Sequence, residues 1–277
     1  MTPWIVFTAL DGCLLNSRTR TFAEARPALD GLRQRKIPVI PCTLGTAAEA
    51  LHDQGLLGIS GPFAVEGGSG VYVPKGYVPR LQWDHTDRGE QDLIPFALGR
   101  EILLEGFDGL KETLKGCIRG FRDMTADEVA SDTGLPLPVA RLALKREFDE
   151  PFKFVQREAE FSPLLPRISR ELGLHVTRGN RYYHLHGNTD TGLAVEVLKS
   201  IFKMRQGPFR SLGIGEGEAD LTLLQAVDVA VAVQRPDGTH DPALIRGIRG
   251  LRCVPAPGPA GWNRAVLEIL GSGVEIP

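Results

Sequence analysis

Trp4-Ile5-Val6-Phe7-Thr8-Ala9-Leu10-Asp11-Gly12-Cys13-Leu14-Leu15 is the stretch on which the fold turns. Its four leading apolar or aromatic residues predict a buried parallel strand. Asp11 then falls just past the carboxyl end, and Gly12 lets the backbone turn away. In open α/β sheets, ligands sit in the crevice outside the carboxyl ends of the strands. The stretch therefore predicts both a central strand and the place of a site.

Outward from it, Phe22 to Arg35 reads as an amphipathic helix with Phe22, Ala25, Leu29 and Leu32 on one face. Ile37 to Cys42 reads as a second strand, its two prolines predicting an exposed or distorted ladder. Thr46 to Leu56 reads as a helix, and Phe63–Glu66 and Val71–Val73 as short strands around Gly67-Gly68-Ser69-Gly70. This is the rhythm of a parallel sheet.

From about Lys75 the rhythm breaks. Gly89 to Gly116 reads as interrupted helix, and Thr125–Ser131 and Pro138–Arg146 as short helices, the first opened by a Thr125/Glu128 capping box. A strand at Pro151–Val155, a helix at Pro163–Leu172 and strands at His175–Arg178 and Tyr182–His186 follow. Helix and strand then alternate again from Thr191, with a closing helix at Gly261–Leu270. The expected fold class is a doubly wound α/β core, residues 1–78 and 188–277, with an inserted α+β cap, residues 79–187.

The 277 residues carry 32 basic and 34 acidic side chains, a formal net charge of -2, which offers nucleic acid no basic face. No apolar run nears the roughly 20 residues of a membrane span, and no signal peptide is evident. Cys13, Cys42, Cys117 and Cys253 are scattered, never paired as Cys-x-x-Cys, and fit reduced thiols in a cytoplasmic protein.

Asp11-Gly12-Cys13-Leu14 resembles the first signature of the haloacid dehalogenase-like phosphatases, Asp-x-Asp-Gly-Thr-Leu. Over its whole length the chain is similar to the mannosyl-3-phosphoglycerate phosphatase branch. The resemblance is carried by that stretch, Val39–Thr43, Pro62–Gly68, Arg146-Glu147-Phe148-Asp149-Glu150-Pro151-Phe152, Thr177-Arg178-Gly179 with Tyr183-His184, and Gly261-Trp262-Asn263. It implies an aspartate nucleophile, a second aspartate as acid/base, a hydroxyl holding phosphate, a late lysine, and an acidic pair on magnesium. It also implies that Arg146, Asp149, Glu150, Thr177, Arg178, Gly179 and His184 lie where sugar and glycerate groups bind.

The chain departs from that chemistry. The nucleophile position is Ala9, and the late lysine position is Thr191. Gly45 stands where this branch usually has lysine. Asp11 matches the acid/base and Thr43 the phosphate-holding hydroxyl. The metal motif reads Gly215-Glu216-Gly217-Glu218-Ala219-Asp220, leaving Asp11, Glu216 and Asp220 as candidate ligands. A methyl group cannot attack phosphorus, and deleting a nucleophile costs a protease on the order of a millionfold. Magnesium tolerates geometry poorly, so its binding is expected to be weak or absent. Loss of a carboxylate at Ala9 and of a cation at Thr191 cancels in charge.

The expectation is a degenerate phosphatase relative, a pseudoenzyme binding a phosphorylated or carboxylated sugar-like ligand or a protein partner. The rivals are a working magnesium-dependent sugar-phosphate phosphatase using Asp11 and water, and a scaffold. Each candidate also has a plainer structural reading. Asp11 can cap its turn, and Arg146 with the carboxylates can form an internal network that fixes the cap fold. Glu216 and Asp220 can face a helix amino terminus. Cys13 and Cys42 are small buried thiols, and His184 and His186 alternate on one strand without an evident third metal ligand.

Overall fold

The computed structural model describes residues 2–179 and 181–270. Strand β1 (Trp4–Thr8) is flanked in parallel by β2 (Val39–Pro41), with Thr8 opposite Pro41. β1 alternates as its sequence demands. Ile5 and Phe7 enter the core on the face of the helix Thr191–Gln206, while Val6 enters the core shared with the helices Arg26–Gln34 and Gly258–Leu270. Pro27 falls in the first turn of its helix, where its missing N–H costs nothing. β2 lies at one end of its sheet, where a strand tolerates proline, and all three of its residues are buried.

Strands β3 (Phe63–Val65) and β4 (Gly70–Pro74) pair antiparallel, not in the parallel rhythm expected. β3 touches the first sheet through a single parallel bridge between Cys42 and Ala64. Two further strands, β5 (Thr86–Arg88) and β6 (Gln91–Pro95), complete this second sheet, with β6 running antiparallel along β4. The hairpin replaces the start of the helix expected from Gly89; the helix itself spans Arg100–Thr113.

The third sheet is antiparallel. It contains β7 (Ile118–Gly120), β8 (Asp149–Phe154), β9 (His175–Arg178) and β10 (Tyr183–His186), in the order β7-β8-β10-β9. The helix Ala126–Thr133 has the Thr125/Glu128 capping box read from its sequence. Arg100–Thr113 supplies Leu103, Phe107 and Leu110 to a core that also holds Phe152 and Leu185.

The parallel sheet then resumes with β11 (Arg210–Gly215), β12 (Val229–Gln234) and β13 (Arg252–Pro257), giving the order β13-β12-β11-β1-β2. The protein is thus an α/β fold whose parallel sheet has strands added on both sides of β1, and the chain reverses direction of winding there. Gly261-Trp262-Asn263 has a structural explanation. A Cβ at Gly261 would lie 2.2 Å from the Ala256 carbonyl oxygen, so only glycine lets the last helix approach β13. Trp262 is fully buried and donates its indole N–H to the Thr8 hydroxyl at 2.9 Å, while the Asn263 side chain accepts from the Ala28 amide. Among the described residues, no helix is long and apolar enough to cross a membrane.

Candidate functional site

Register brings the site together. Thr8 lies opposite both Pro41 and Ile214, so Ala9, Thr43 and Glu216 all follow strands that end at one level. A cavity of about 620 Å³ opens there, bounded on the far side by the third sheet and its loops. Ala9, Asp11, Thr43, Gly45, Glu216 and Asp220 line it from below, and Arg146, Arg178, Gly179 and His184 from above.

Ala9 donates its amide to the Ile214 carbonyl and accepts at its own carbonyl from the Thr8 hydroxyl, which Trp262 holds. The residue is 5% exposed. Leu10 to Leu15 then form a tight turn with Gly12 at φ +75°, a left-handed value suited to glycine. A Cβ at Gly12 would lie 2.1 Å from a Glu216 carboxylate oxygen, so the Glu216 side chain is packed directly over this glycine.

Asp11 is occupied, and the residue that occupies it was missed by the sequence reading. Arg20 donates to Asp11 at 2.5 Å and, through its other terminal nitrogen, to Asp53 at 2.6 Å. Arg20 adopts φ +55°, unusual for a residue with a side chain. The loop that presents it is closed by Asn16, whose side chain accepts from the Arg18 and Thr19 amides. Asp53 is 33 residues away on the helix Ala47–Leu57, so nothing local in the sequence announces the pair.

The Thr43 hydroxyl accepts from the Gly45 amide at 2.9 Å. A side chain at Gly45 would start 3.2 Å from that hydroxyl and 3.3 Å from the Glu49 carboxylate, a tight fit. Thr191 stands elsewhere. It lines a second, smaller cavity of about 390 Å³ with Thr177, His184 and His186, and not the one holding Ala9.

The donor set does not fit magnesium. Among the described residues, no three His, Cys, Asp or Glu side chains converge as a metal would require. Ala9 offers no side-chain oxygen, Asp11 is paired with Arg20, and Asp220 accepts from the Glu216 and Gly217 amides at 2.8 and 3.2 Å. Burial pushes the Asp220 carboxyl up to about 6, with Asp241 and Asp11 adding repulsion against those two amides. Burial likewise pushes the Cys13 and Cys42 thiols up, so neither is a ready thiolate.

The Arg146–Phe152 run is largely occupied by the fold. Arg146 donates to the Leu44 carbonyl at 2.5 Å, to the Ala143 carbonyl at 2.9 Å and to Asp149 at 3.1 Å, and lies 3.6 Å from Glu49. Glu66, at φ +47°, accepts the amides of Glu147, Phe148 and Asp149. Burial, with Asp149 beside it, pushes the Glu66 carboxyl up. Burial would raise Asp149 too, but Arg146 and His184 together hold it well below the usual carboxylate range. Glu150 lies outside both cavities. It is fully buried, paired with Arg100 at 2.7 Å and accepting the Arg122 amide at 2.7 Å.

Beside Arg146, three more of the residues expected at the sugar and glycerate groups line the large cavity: His184, Gly179 and Arg178. His184 gives Nδ1–H to Asp149 at 2.6 Å; its Nε2 has no partner among the described residues, and the ring lines both cavities. Gly179 lies against that Nε2, where a Cβ would come within 3.1 Å. Arg178 stacks on Tyr183 and reaches Glu158 at 3.3 Å. Thr177 instead donates to His186 at 2.7 Å, since His186 gives its Nδ1 proton to the Gly187 carbonyl.

Solved structures share this architecture. A sucrose-phosphatase from Synechocystis superposes with TM-score 0.62 over 96% of this chain and 97% of its own, at 14% identity. A phosphatase of the HAD superfamily from Bacteroides thetaiotaomicron gives 0.61 over 91% and 90%, at 15% identity. The fold is that of the haloacid dehalogenase-like superfamily, in the form that carries a cap domain. No family model matches the chain. A glucosyl-3-phosphoglycerate/mannosyl-3-phosphoglycerate phosphatase of Methanococcoides burtonii is 34% identical over 98% of this chain and 99% of its own length. One of the same name from Persephonella marina is 33% identical over 96% and 97%. The chain belongs to this phosphatase family.

Proposed function

We propose that this chain is a pseudoenzyme of that family, which binds a sugar-phosphate or glycerate-like ligand in the cleft and does not hydrolyse it efficiently. The observation that carries the reading is the buried Ala9 methyl at the end of β1, where the family resemblance places the attacking carboxylate. Three further features support it. Asp11 is tied to Arg20, the acidic donors among the described residues do not converge for magnesium, and Thr191 opens into a different cavity from Ala9.

What remains suited to a ligand is recognition. Arg178 and His184 present nitrogen to the cleft, and the Thr43 hydroxyl sits at its floor. The named substrates of the relatives, glycosylated 3-phosphoglycerates, set the class of compound to try first. In the division proposed here, residues 1–78 and 188–277 form the core and 79–187 the insertion. Its first boundary is better drawn after Pro95, because β6 is hydrogen-bonded along β4.

The second reading is an active magnesium-dependent phosphatase in which Asp11 activates water; identity of 34% to a named phosphatase over nearly the whole chain favours it. A phosphate-release assay on glucosyl- and mannosyl-3-phosphoglycerate with magnesium separates the two. The expected result is no turnover above background. Turnover that vanishes in Asp11→Ala would overturn the pseudoenzyme reading in favour of the second. Ligand binding is read separately, as a rise in melting temperature with the same compounds.

A further inference from the structure

The two walls of the large cavity carry opposite charge, and this constrains which end of a ligand goes where. Below, Asp11, Glu49, Glu216, Glu218, Asp220 and Asp241 face it with only Arg18, Arg20 and Arg235 among them. Two of those arginines are already used, Arg20 by Asp11 and Asp53 and Arg235 by Asp241. Above, the wall offers Arg146, Arg178 and Arg181 and no acidic side chain among its described residues. Arg146 is consumed by Glu49, Asp149 and two carbonyls. Among the described residues Arg181 donates to the Thr133 backbone carbonyl and acts electrostatically on Asp132, and Arg178 reaches Glu158 through one nitrogen at 3.3 Å. Each guanidinium has five N–H donors, so both keep donors for an anion.

We propose that the preferred ligand is a phosphate-free hydroxy acid, its carboxylate held by Arg178 and Arg181 and its hydroxyls facing the acidic floor. The inference deepens the ligand-binding reading above and rests on it. A carboxylate matches the planar guanidinium fork. Asp11 and Asp241 are offset by Arg20 and Arg235, so the net negative charge of the floor rests on Glu216, Glu218 and Asp220 against Arg18; carboxylates accept hydrogen bonds and cannot donate them, so they suit hydroxyls and repel a phosphate dianion. In an active relative, a metal and a lysine would offset that repulsion; here the donors do not converge, and the lysine position is Thr191 in the other cavity. His184 is the independent sign of a ligand. It is only 8% exposed, its Nδ1 proton is committed to Asp149, and its Nε2 has no partner among the described residues at the junction of the cavities.

The test is calorimetric titration of the full chain with glucosyl-3-phosphoglycerate and with the same compound lacking its phosphate, each in chelator and in magnesium. The phosphate-free compound is expected to bind at least tenfold more tightly, with magnesium changing neither affinity. Arg181→Ala, an exposed substitution, should weaken it at least tenfold. Glu218→Gln with Asp220→Asn should narrow the gap by tightening the phosphorylated compound alone. Tighter binding of the phosphorylated compound, or tightening by magnesium, would overturn this inference and leave the ligand-binding reading standing. Unchanged affinity in Arg181→Ala would overturn the placement of the carboxylate. Binding of neither compound to the unaltered chain would bring down both.

Discussion

The floor of the cleft and the Arg146–Phe152 run above it have fared differently. At the floor, the positions that the family resemblance gives to the nucleophile and the late lysine hold Ala9 and Thr191, and the metal motif carries Glu216. Above, the Arg-Glu-Phe-Asp-Glu-Pro-Phe run is intact. Read from sequence, that contrast favours a ligand role for the run. The structure supplies a second sufficient reason. Glu66 takes three consecutive amides of the run, and Arg146 reaches the Leu44 carbonyl and Glu49 beside the floor. Residues that fasten one part of the molecule to another are held by stability whether or not chemistry survives; residues that only react are not.

The contrast is broken most directly at Arg146. It is buried, and its removal leaves Asp149 with His184 alone, Glu49 without its cation and the Leu44 carbonyl without its donor. Removing one partner of a buried ion pair costs about 3–5 kcal/mol. Arg146→Ala is therefore expected to lower unfolding free energy by about that much in a denaturant titration. A loss under about 1 kcal/mol, ordinary for a surface residue, would return the run to a purely ligand-facing role.

The floor should answer in the opposite sense, resisting the family's own residue. An aspartate at position 9 would be buried among Asp11, Glu216 and Asp220. Burying a polar group without partners costs about 1–3 kcal/mol in protein mutants, and a charged one more. Ala9→Asp is expected to destabilise the fold by about 2–4 kcal/mol at neutral pH and by less in acid. A neutral or stabilising Ala9→Asp would mean that the floor still holds the cation needed to receive a carboxylate.

How far the sequence reached follows the same division. β1, the Thr46 and Thr125 capped helices and the closing helix around Trp262 were legible, because apolar alternation and caps are local signals. The β5–β6 hairpin was not. β5 is exposed along its whole length and carries no alternation, so its pairing depends on a neighbour already in place. In the cleft, Ala9, Asp11, Thr43, Glu216 and Asp220 were legible by resemblance and do line one cavity. Arg20 and Arg181 were not, since their roles come from partners 33 and 48 residues away. The placement of Thr191 in a separate cavity is likewise a matter of packing, which no motif records.

A pH series sharpens the electrostatic side of the floor. Asp220 titrates near 6 when folded, above the ordinary 3.8. Between those values the folded chain binds the proton more tightly than the unfolded chain. This contribution therefore favours the fold at acid pH and is lost as pH rises through 6. A shift of that size corresponds to about 3 kcal/mol. Asp220→Asn removes the titration, so its stability relative to the unaltered chain should rise by up to about 3 kcal/mol from pH 4 to pH 7. A flat difference across that range would show the carboxylate to be compensated by a cation or metal.

The smallest expected effect tests whether the turn at Thr177 serves the fold or the ligand. His186 gives its Nδ1 proton to the Gly187 carbonyl at 2.8 Å, and burial pushes its pKa down, so the ring is neutral with Nε2 as acceptor. The Thr177 hydroxyl donates to that Nε2 at 2.7 Å. Thr177→Val keeps the shape and the β propensity but leaves the nitrogen unpaired, at a cost of about 1 kcal/mol. His184 is fastened to Asp149 and not to Thr177, so affinity for a cleft ligand should stay within twofold. If Thr177→Val instead leaves stability unchanged and weakens binding tenfold, the hydroxyl belongs to the ligand, and the divide between fastening and recognising residues must be redrawn through β9.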